Sequence, residues 1–160
     1  MSLHVVMGVS GCGKSSVAAR LAAAKGGDFL DADDFHPSAN KAKMAAGIPL
    51  QDEDRAGWLD TLNVELKSRA VNGRDTFLAC SALKQIYRDR LSAGLPSLGF
   101  IYLKGSREAI RSRLERRTDH FMPSTLLESQ FSTLEEPTGA LMVSIEQSLE
   151  HVVEEILKRI

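Results

Sequence analysis

Hydrophobic positions along the chain follow two rhythms. Short apolar runs occupy Leu3–Met7, Asp28–Asp31, 76–81, Gly99–Lys104 and 140–144, and each reads as a buried strand. Between them lie helical patterns. Residues 16–24 form an alanine-rich stretch. Trp58, Leu59, Leu62 and Leu66 share one face of a long helix near 53–72. Leu149, Val152, Val153, Ile156, Leu157 and Ile160 repeat at i, i+3, i+4, i+7, i+8 and i+11, which predicts an amphipathic helix at the end of the sequence. Strands alternating with helices imply an α/β fold: three layers, a five-stranded parallel sheet with helices on both faces. We read residues 1–160 as one such domain. Pro37, Pro49, Pro96, Pro123 and Pro137 fall at segment joints, where proline stops or starts helices.

Between the first strand and the first helix stands Gly8-Val9-Ser10-Gly11-Cys12-Gly13-Lys14-Ser15, which fits G-x-x-x-x-G-K-[ST]. Strand, glycine loop, helix is the context in which this spacing cradles phosphate oxygens with backbone N–H groups at a helix N-terminus. Gly8 through Ser16 are therefore the candidate nucleotide-binding residues. Lys14 is expected to reach the β- and γ-phosphates, and the Ser15 hydroxyl to ligate Mg²⁺. In parallel sheets ligands sit beyond the carboxyl ends of the strands. That rule points to Asp31 and Asp33, to Cys80 through Lys84, and to Lys104-Gly105.

The 160 residues carry a formal net charge of -1, with 43% hydrophobic and 26% charged residues. This balance is ordinary for a globular chain and argues against a nucleic-acid partner. No apolar run approaches the roughly 18 residues of a membrane span. The phosphate loop follows the first apolar run at once, leaving no room for a signal peptide. Cys12 and Cys80 belong to no Cys/His cluster, so neither zinc nor a disulfide framework is expected, and a reduced, cytoplasmic setting is the inference.

Asp31 and Asp33, two residues apart past the second strand, can hold Mg²⁺ through water and orient an acceptor hydroxyl; Asp33 is assigned the hydroxyl and Asp31 the metal. A cap for the helix that starts near Pro37 is the competing reading, chiefly for Asp34. His36, Asn40 and Lys41 either contact a polyol or carboxylate or form a solvated helix start. Arg55 presents a planar fork suited to a carboxylate, or else pairs with local acids such as Asp52. Lys84 and Arg88 come soon after a strand's ligand end. Arg107, Arg111, Arg113, Arg116 and Arg117 precede His120-Phe121-Met122-Pro123. Arg113 and Arg117 share a helix face and are candidates to neutralise phosphoryl charge, with 117–123 as a small closing lid that excludes water; a solvated basic helix paired with Glu108 and Glu115 is the competing reading. Gln147, after the last strand, is a candidate for base contact.

Rival classes fare poorly. Asp54-Arg55-Ala56-Gly57 fits the D-x-x-G of a GTPase, but Asn40-Lys41-Ala42-Lys43 lacks the final Asp of N-K-x-D and precedes it, the reverse of the expected order. The glycine spacing is not G-x-G-x-x-G, which disfavours a dinucleotide oxidoreductase. A small-molecule kinase remains.

Over nearly its whole length the chain resembles the gluconate kinases (gluconokinases). The blocks that carry the resemblance are Met7 through Ser15, Phe29-Leu30-Asp31-Ala32-Asp33 with His36-Pro37, and Asn40 through Met44. They continue with Gly47-Ile48-Pro49-Leu50, Asp52-Glu53-Asp54-Arg55 with Trp58-Leu59, and Cys80-Ser81-Ala82-Leu83-Lys84 with Tyr87-Arg88-Asp89. The last are Phe100 through Gly105, Arg113-Leu114 with Arg117 and His120-Phe121, and Gln130-Phe131 with Leu134 through Pro137. Gly57, Gln51 and Asp119 depart from the family pattern. The resemblance implies transfer of phosphate from ATP, with Mg²⁺, to the 6-hydroxyl of D-gluconate. It implies Lys14, Asp33 and Arg117 as catalytic groups, Arg113 and Gln147 beside the nucleotide, and Asp33, His36, Arg55, Lys84, Arg88 and His120 around the sugar acid. It also implies a homodimer. The runner-up is a shikimate-type or other small-molecule kinase of the same fold.

Overall fold

The computed structural model describes residues 2–116 and 124–160. The expected lid, 117–123, with Arg117, Asp119 and His120, lies outside the described residues. Five strands, β1 (Leu3–Met7), β2 (Asp28–Asp31), β3 (Thr76–Ala79), β4 (Gly99–Lys104) and β5 (Leu141–Ser144), form one sheet in the order β2-β3-β1-β4-β5. Every pairing is parallel. The central strand β1 reads as a nearly continuous apolar run because it is covered on both faces: Val5, Val6 and Met7 are fully buried.

The described residues also form seven helices: α1 (Lys14–Lys25), α2 (Ser38–Ala45), α3 (Asp52–Val71), α4 (Gln85–Leu91), α5 (Arg107–Glu115), α6 (Ser124–Thr133) and α7 (Leu149–Arg159). The two-residue alternation of the strands sorts their side chains into two cores. Leu3, Val5, Met7 and Leu78 meet Trp58, Leu59, Leu62 and Leu66 of α3 and Tyr87 and Leu91 of α4. Val6, Phe77, Ile101 and Val143 meet Val17, Ala18 and Leu21 of α1 and Val152, Val153 and Ile156 of α7. Buried Asn63 ties α3 to the end of α4, donating to the Leu91 carbonyl at 2.8 Å and the Ala93 carbonyl at 2.9 Å.

Four boundaries differ from expectation. Helix α1 begins at Lys14, two residues early, because the loop peptide of Gly13 already accepts the Val17 N–H. Strand β3 ends at Ala79 rather than 81; Cys80 still bonds to Val6, but Ala82 turns to φ 45° and carries the chain away from the sheet. Strand β5 starts one residue late, at Leu141, and α7 ends at Arg159. Among the described residues no helix is long and apolar enough to cross a membrane.

Candidate active site at the carboxyl ends of the strands

The chain leaves β1 into the glycine loop, and the glycines are required by geometry. Gly8 sits at φ 148°, where a Cβ would stand 2.9 Å from the Leu103 carbonyl oxygen and 2.7 Å from Cys12 Sγ. Gly13 adopts φ 96° immediately before α1. The loop is held from several sides: Gly8 N–H donates to the Ser81 carbonyl at 3.3 Å, and Cys12 N–H to the Val9 carbonyl at 3.3 Å. The Val9 and Cys12 side chains are buried in the core, so their contribution to any ligand is through backbone. Burial pushes the Cys12 thiol up, and the Cys80 thiol up to about 12, which makes both inert packing groups.

A cleft of about 570 Å³ opens over this loop, lined by Gly11, Gly13, Lys14, Ser15 and Ser16, by Asp31 and Asp33, and by Ser81, Leu126 and Gln130. Lys14 Nζ donates to the Val9 carbonyl at 3.2 Å. Ser15 Oγ donates to Asp31 Oδ2 at 3.2 Å, and the other Asp31 oxygen accepts the Asp33 N–H at 3.0 Å. Asp31 thus caps the 3-10 turn Ala32–Phe35 and presents it to the cleft. The Asp33 carboxyl is raised above its ordinary value, by burial first and by the neighbouring Asp31 charge second.

A second cleft of about 520 Å³ continues from the first, with Ser81, Leu126 and Gln130 common to both. Its wall includes Arg55, Trp58, Tyr87 and the Gly47-Ile48-Pro49-Leu50 turn. Arg55 NH1 donates to the Leu50 carbonyl at 3.0 Å and to Tyr87 Oη at 3.3 Å, and its guanidinium lies 5.6 Å from the Tyr87 ring centre. These contacts orient its plane at the cleft wall. His36 stacks on Trp58 with ring centres 4.2 Å apart, while Trp58 Nε1 donates to the Ala32 carbonyl at 2.7 Å. Trp58 therefore joins the turn carrying Asp33 to the ring of His36. Burial lowers the His36 pKa despite the opposing Asp33 charge.

Other expected site residues sit elsewhere. Lys84 Nζ pairs with Asp52 at 3.3 Å beside Tyr87, whose hydroxyl donates to the same carboxylate at 2.6 Å; Lys84 lines neither cleft. Arg88 is buried, donating to the carbonyls of Ala82 at 2.7 Å and Glu135 at 2.8 Å. Its guanidinium braces the turn after β3, and the cavity it does line is a separate one of about 130 Å³. Gln147 donates to the Ser144 carbonyl and to Glu155. Arg113, by contrast, reaches the loop: NH2 donates to the Ile145 carbonyl at 2.6 Å and NH1 to the Cys12 carbonyl at 3.4 Å. One residue escaped sequence reasoning. Gln130 of α6 accepts from Ser10 N–H at 2.6 Å and donates to Ser10 Oγ at 2.9 Å. No local pattern marks it; only its place in a block shared with the resembling family could have singled it out.

A parallel sheet with a phosphate loop after its central strand, a lysine and serine opening the next helix, and paired aspartates at the carboxyl end of β2 define a P-loop kinase. The family model described as an AAA domain matches residues 3–137. The thermoresistant gluconokinase of Escherichia coli (strain K12) is 47% identical over 94% of this chain and 89% of its own. A probable gluconokinase of Mus musculus is 44% identical over 96% of this chain and 95% of its own. The crystal structure of a gluconokinase from Sinorhizobium meliloti 1021 is 44% identical, with a TM-score of 0.89, over 98% of this chain and 90% of that one. The chain belongs to the gluconokinase family.

Proposed function

We propose that the chain, as one kinase domain, phosphorylates D-gluconate on its 6-hydroxyl at the expense of ATP. The observation that carries the reading is the pair of contiguous clefts. One brings Lys14, Ser15, Asp31 and Asp33 together for a triphosphate; the other presents Arg55 and Tyr87 to an acid. Relatives named gluconokinase at 47% and 44% identity favour gluconate over shikimate as the acceptor.

Backbone N–H groups of the glycine loop hold the phosphates, and Lys14 follows the charge of the transferring group. Ser15 Oγ and the Asp31 carboxylate, 3.2 Å apart, are hard oxygen donors of the kind Mg²⁺ takes alongside waters and phosphates. Mg²⁺ held there would supply neutralisation of the phosphate charge. Asp33 accepts a hydrogen bond from the 6-hydroxyl and aligns its oxygen. A loose transition state asks for alignment more than for a strong base, and the raised Asp33 pKa also lets it take the proton late in transfer. Arg55 binds the gluconate carboxylate, with His36 against its hydroxyls. Arg113 steadies the loop beneath the nucleotide; Arg117 and His120 complete the site by family resemblance. On the same basis we take the enzyme as a homodimer, which sedimentation of the purified protein tests, and from its cysteine usage we assign it to the cytoplasm.

The decisive assay couples ADP release to detection, with ATP and Mg²⁺, against gluconate, other sugar acids, shikimate and nucleoside monophosphates. Turnover with gluconate is the expected outcome. Activity confined to shikimate or to a nucleotide overturns the assignment.

A further inference from the structure

The Ser10 N–H and the Val9 C=O belong to one planar peptide unit, so neither can turn without the other. On its carbonyl side this unit accepts Lys14 Nζ at 3.2 Å and Cys12 N–H at 3.3 Å. On its amide side it donates to Gln130 Oε1 at 2.6 Å, and Gln130 Nε2 donates in turn to Ser10 Oγ at 2.9 Å. A single orientation of the Gln130 amide satisfies both contacts. Ser10 precedes α1, which opens at Lys14, so no helical bond restrains this peptide. Its carbonyl side is held from within the loop, by Cys12 and Lys14, whereas the group that holds its amide side arrives from α6, 120 positions along the chain. Gln130 also lines both clefts, at their junction.

We propose that Gln130 is a positioning residue: by gripping the Val9–Ser10 peptide it sets the carbonyl that seats Lys14, and so aligns the lysine for phosphoryl transfer. This rests on the kinase reading given above. Gln130 acts through the peptide rather than on the nucleotide. Its loss therefore slows transfer far more than it weakens binding.

The test compares Gln130→Met, which keeps the length and loses both polar contacts, with Ser10→Ala, which loses the hydroxyl contact and keeps the amide one. A misplaced catalytic group costs up to about a hundredfold in rate. Gln130→Met is expected to lower kcat by at least about tenfold while the Kd for a fluorescent ATP analogue moves by less than about threefold. Ser10→Ala alters the phosphate loop itself but leaves the amide contact of Gln130 in place, so its loss of kcat is expected to be smaller than that of Gln130→Met. Exchange of the Ser10 amide hydrogen, followed by NMR, is expected to accelerate at least about tenfold in Gln130→Met and to remain protected in Ser10→Ala. A merely structural role would instead lower the unfolding temperature and affect kcat and nucleotide Kd together. Unchanged kcat in Gln130→Met, unchanged Ser10 exchange, or equal losses in the two variants overturns the proposal. If wild type shows no transfer to gluconate, the proposed function fails, and the exchange measurement still decides whether Gln130 holds the loop.

Discussion

Strand β2 begins on Asp28 and ends on Asp31, and the two ends of the sheet treat these charges in opposite ways. At the amino end, Asp28 is gripped by Arg69 of α3 and, at 2.6 Å, by Arg74. Hydrogen bonds from Arg74 and then Arg69 hold its carboxyl down to about 2. The Ser2 N–H donates to Asp75 at 2.6 Å in the same neighbourhood. At the carboxyl end, Asp31 receives Ser15 and orients Asp33, whose carboxyl moves up rather than down. One end satisfies its charges from within the chain. The other gathers a lysine, a serine and two aspartates around a cleft and leaves their full neutralisation to a ligand. Helix α3 runs between them, with Arg55 near its first turn at the second cleft and Arg69 near its last turn on Asp28. The difference teaches where stability and reactivity reside in this fold, and it can be broken deliberately from either end.

The largest effect is expected at Asp33. Asp33→Asn should lower kcat by about 10²–10⁴, the range for loss of a group that handles the reacting proton. Its backbone N–H to Asp31 survives, and removing a carboxylate that burial and the Asp31 charge disfavour should leave thermal unfolding unchanged or slightly higher. Steady-state kinetics beside a melting curve checks both. Near-normal turnover would place the reactive end elsewhere. The next effect belongs to Gly8→Ala. A Cβ there meets the Leu103 carbonyl oxygen at 2.9 Å in a backbone conformation few side chains adopt. A loss of about 1–3 kcal/mol by denaturant unfolding is expected, with weakened ATP binding by titration.

Legibility in the sequence follows the same divide between local and distant causes. The phosphate loop could be read because its chemistry is backbone and contiguous: glycines, a lysine and a serine at fixed offsets. The place of Asp31 and Asp33, at the carboxyl end of β2 and just past it, followed from the rule that ligands sit at carboxyl strand ends. Side chains whose partners lie far along the chain could not be read. Arg88 stands a few residues after a ligand-bearing strand end, yet the turn at Ala82 draws its guanidinium inward to Ala82 and Glu135. Lys84 occupies an equally suggestive position but is taken by Asp52, 32 residues away. Gln130 is the converse case, silent in its own segment and decisive once α6 meets Ser10. Position relative to a strand end predicts which residues are near the site. It does not predict which way a long side chain turns.

At the amino end the expected effect is smaller and depends on pH. A carboxyl lowered on folding contributes stability above its unfolded value of 3.8 and loses it as the pH falls toward about 2. Wild type should therefore lose melting temperature across that window in part through Asp28. Asp28→Asn should start lower at neutral pH and show a shallower decline between pH 4 and 2. The effect stays modest because both arginines are partly exposed, and solvent weakens such pairs. Activity at neutral pH should not change. A fall in kcat for gluconate would show that the two ends are coupled and that the division drawn above is too sharp.

The smallest effect lies on the helix that joins the ends. Gly57 stands inside α3 between Arg55 and Trp58, and a Cβ built there meets nothing within 4 Å. A glycine in a helix interior costs about 0.5–1 kcal/mol relative to alanine, chiefly through the freedom it gives the unfolded chain. Gly57→Ala should therefore raise stability by about that amount, read as a higher denaturation midpoint with an unchanged slope. Arg55 keeps its contacts to Leu50 and Tyr87, and Trp58 its bond to Ala32, because none of them involves position 57. KM for gluconate is expected to hold. A raised KM together with raised stability would mean that the second cleft needs the first turns of α3 to yield, and that flexibility at the reactive end belongs to the helix as well as to the loops.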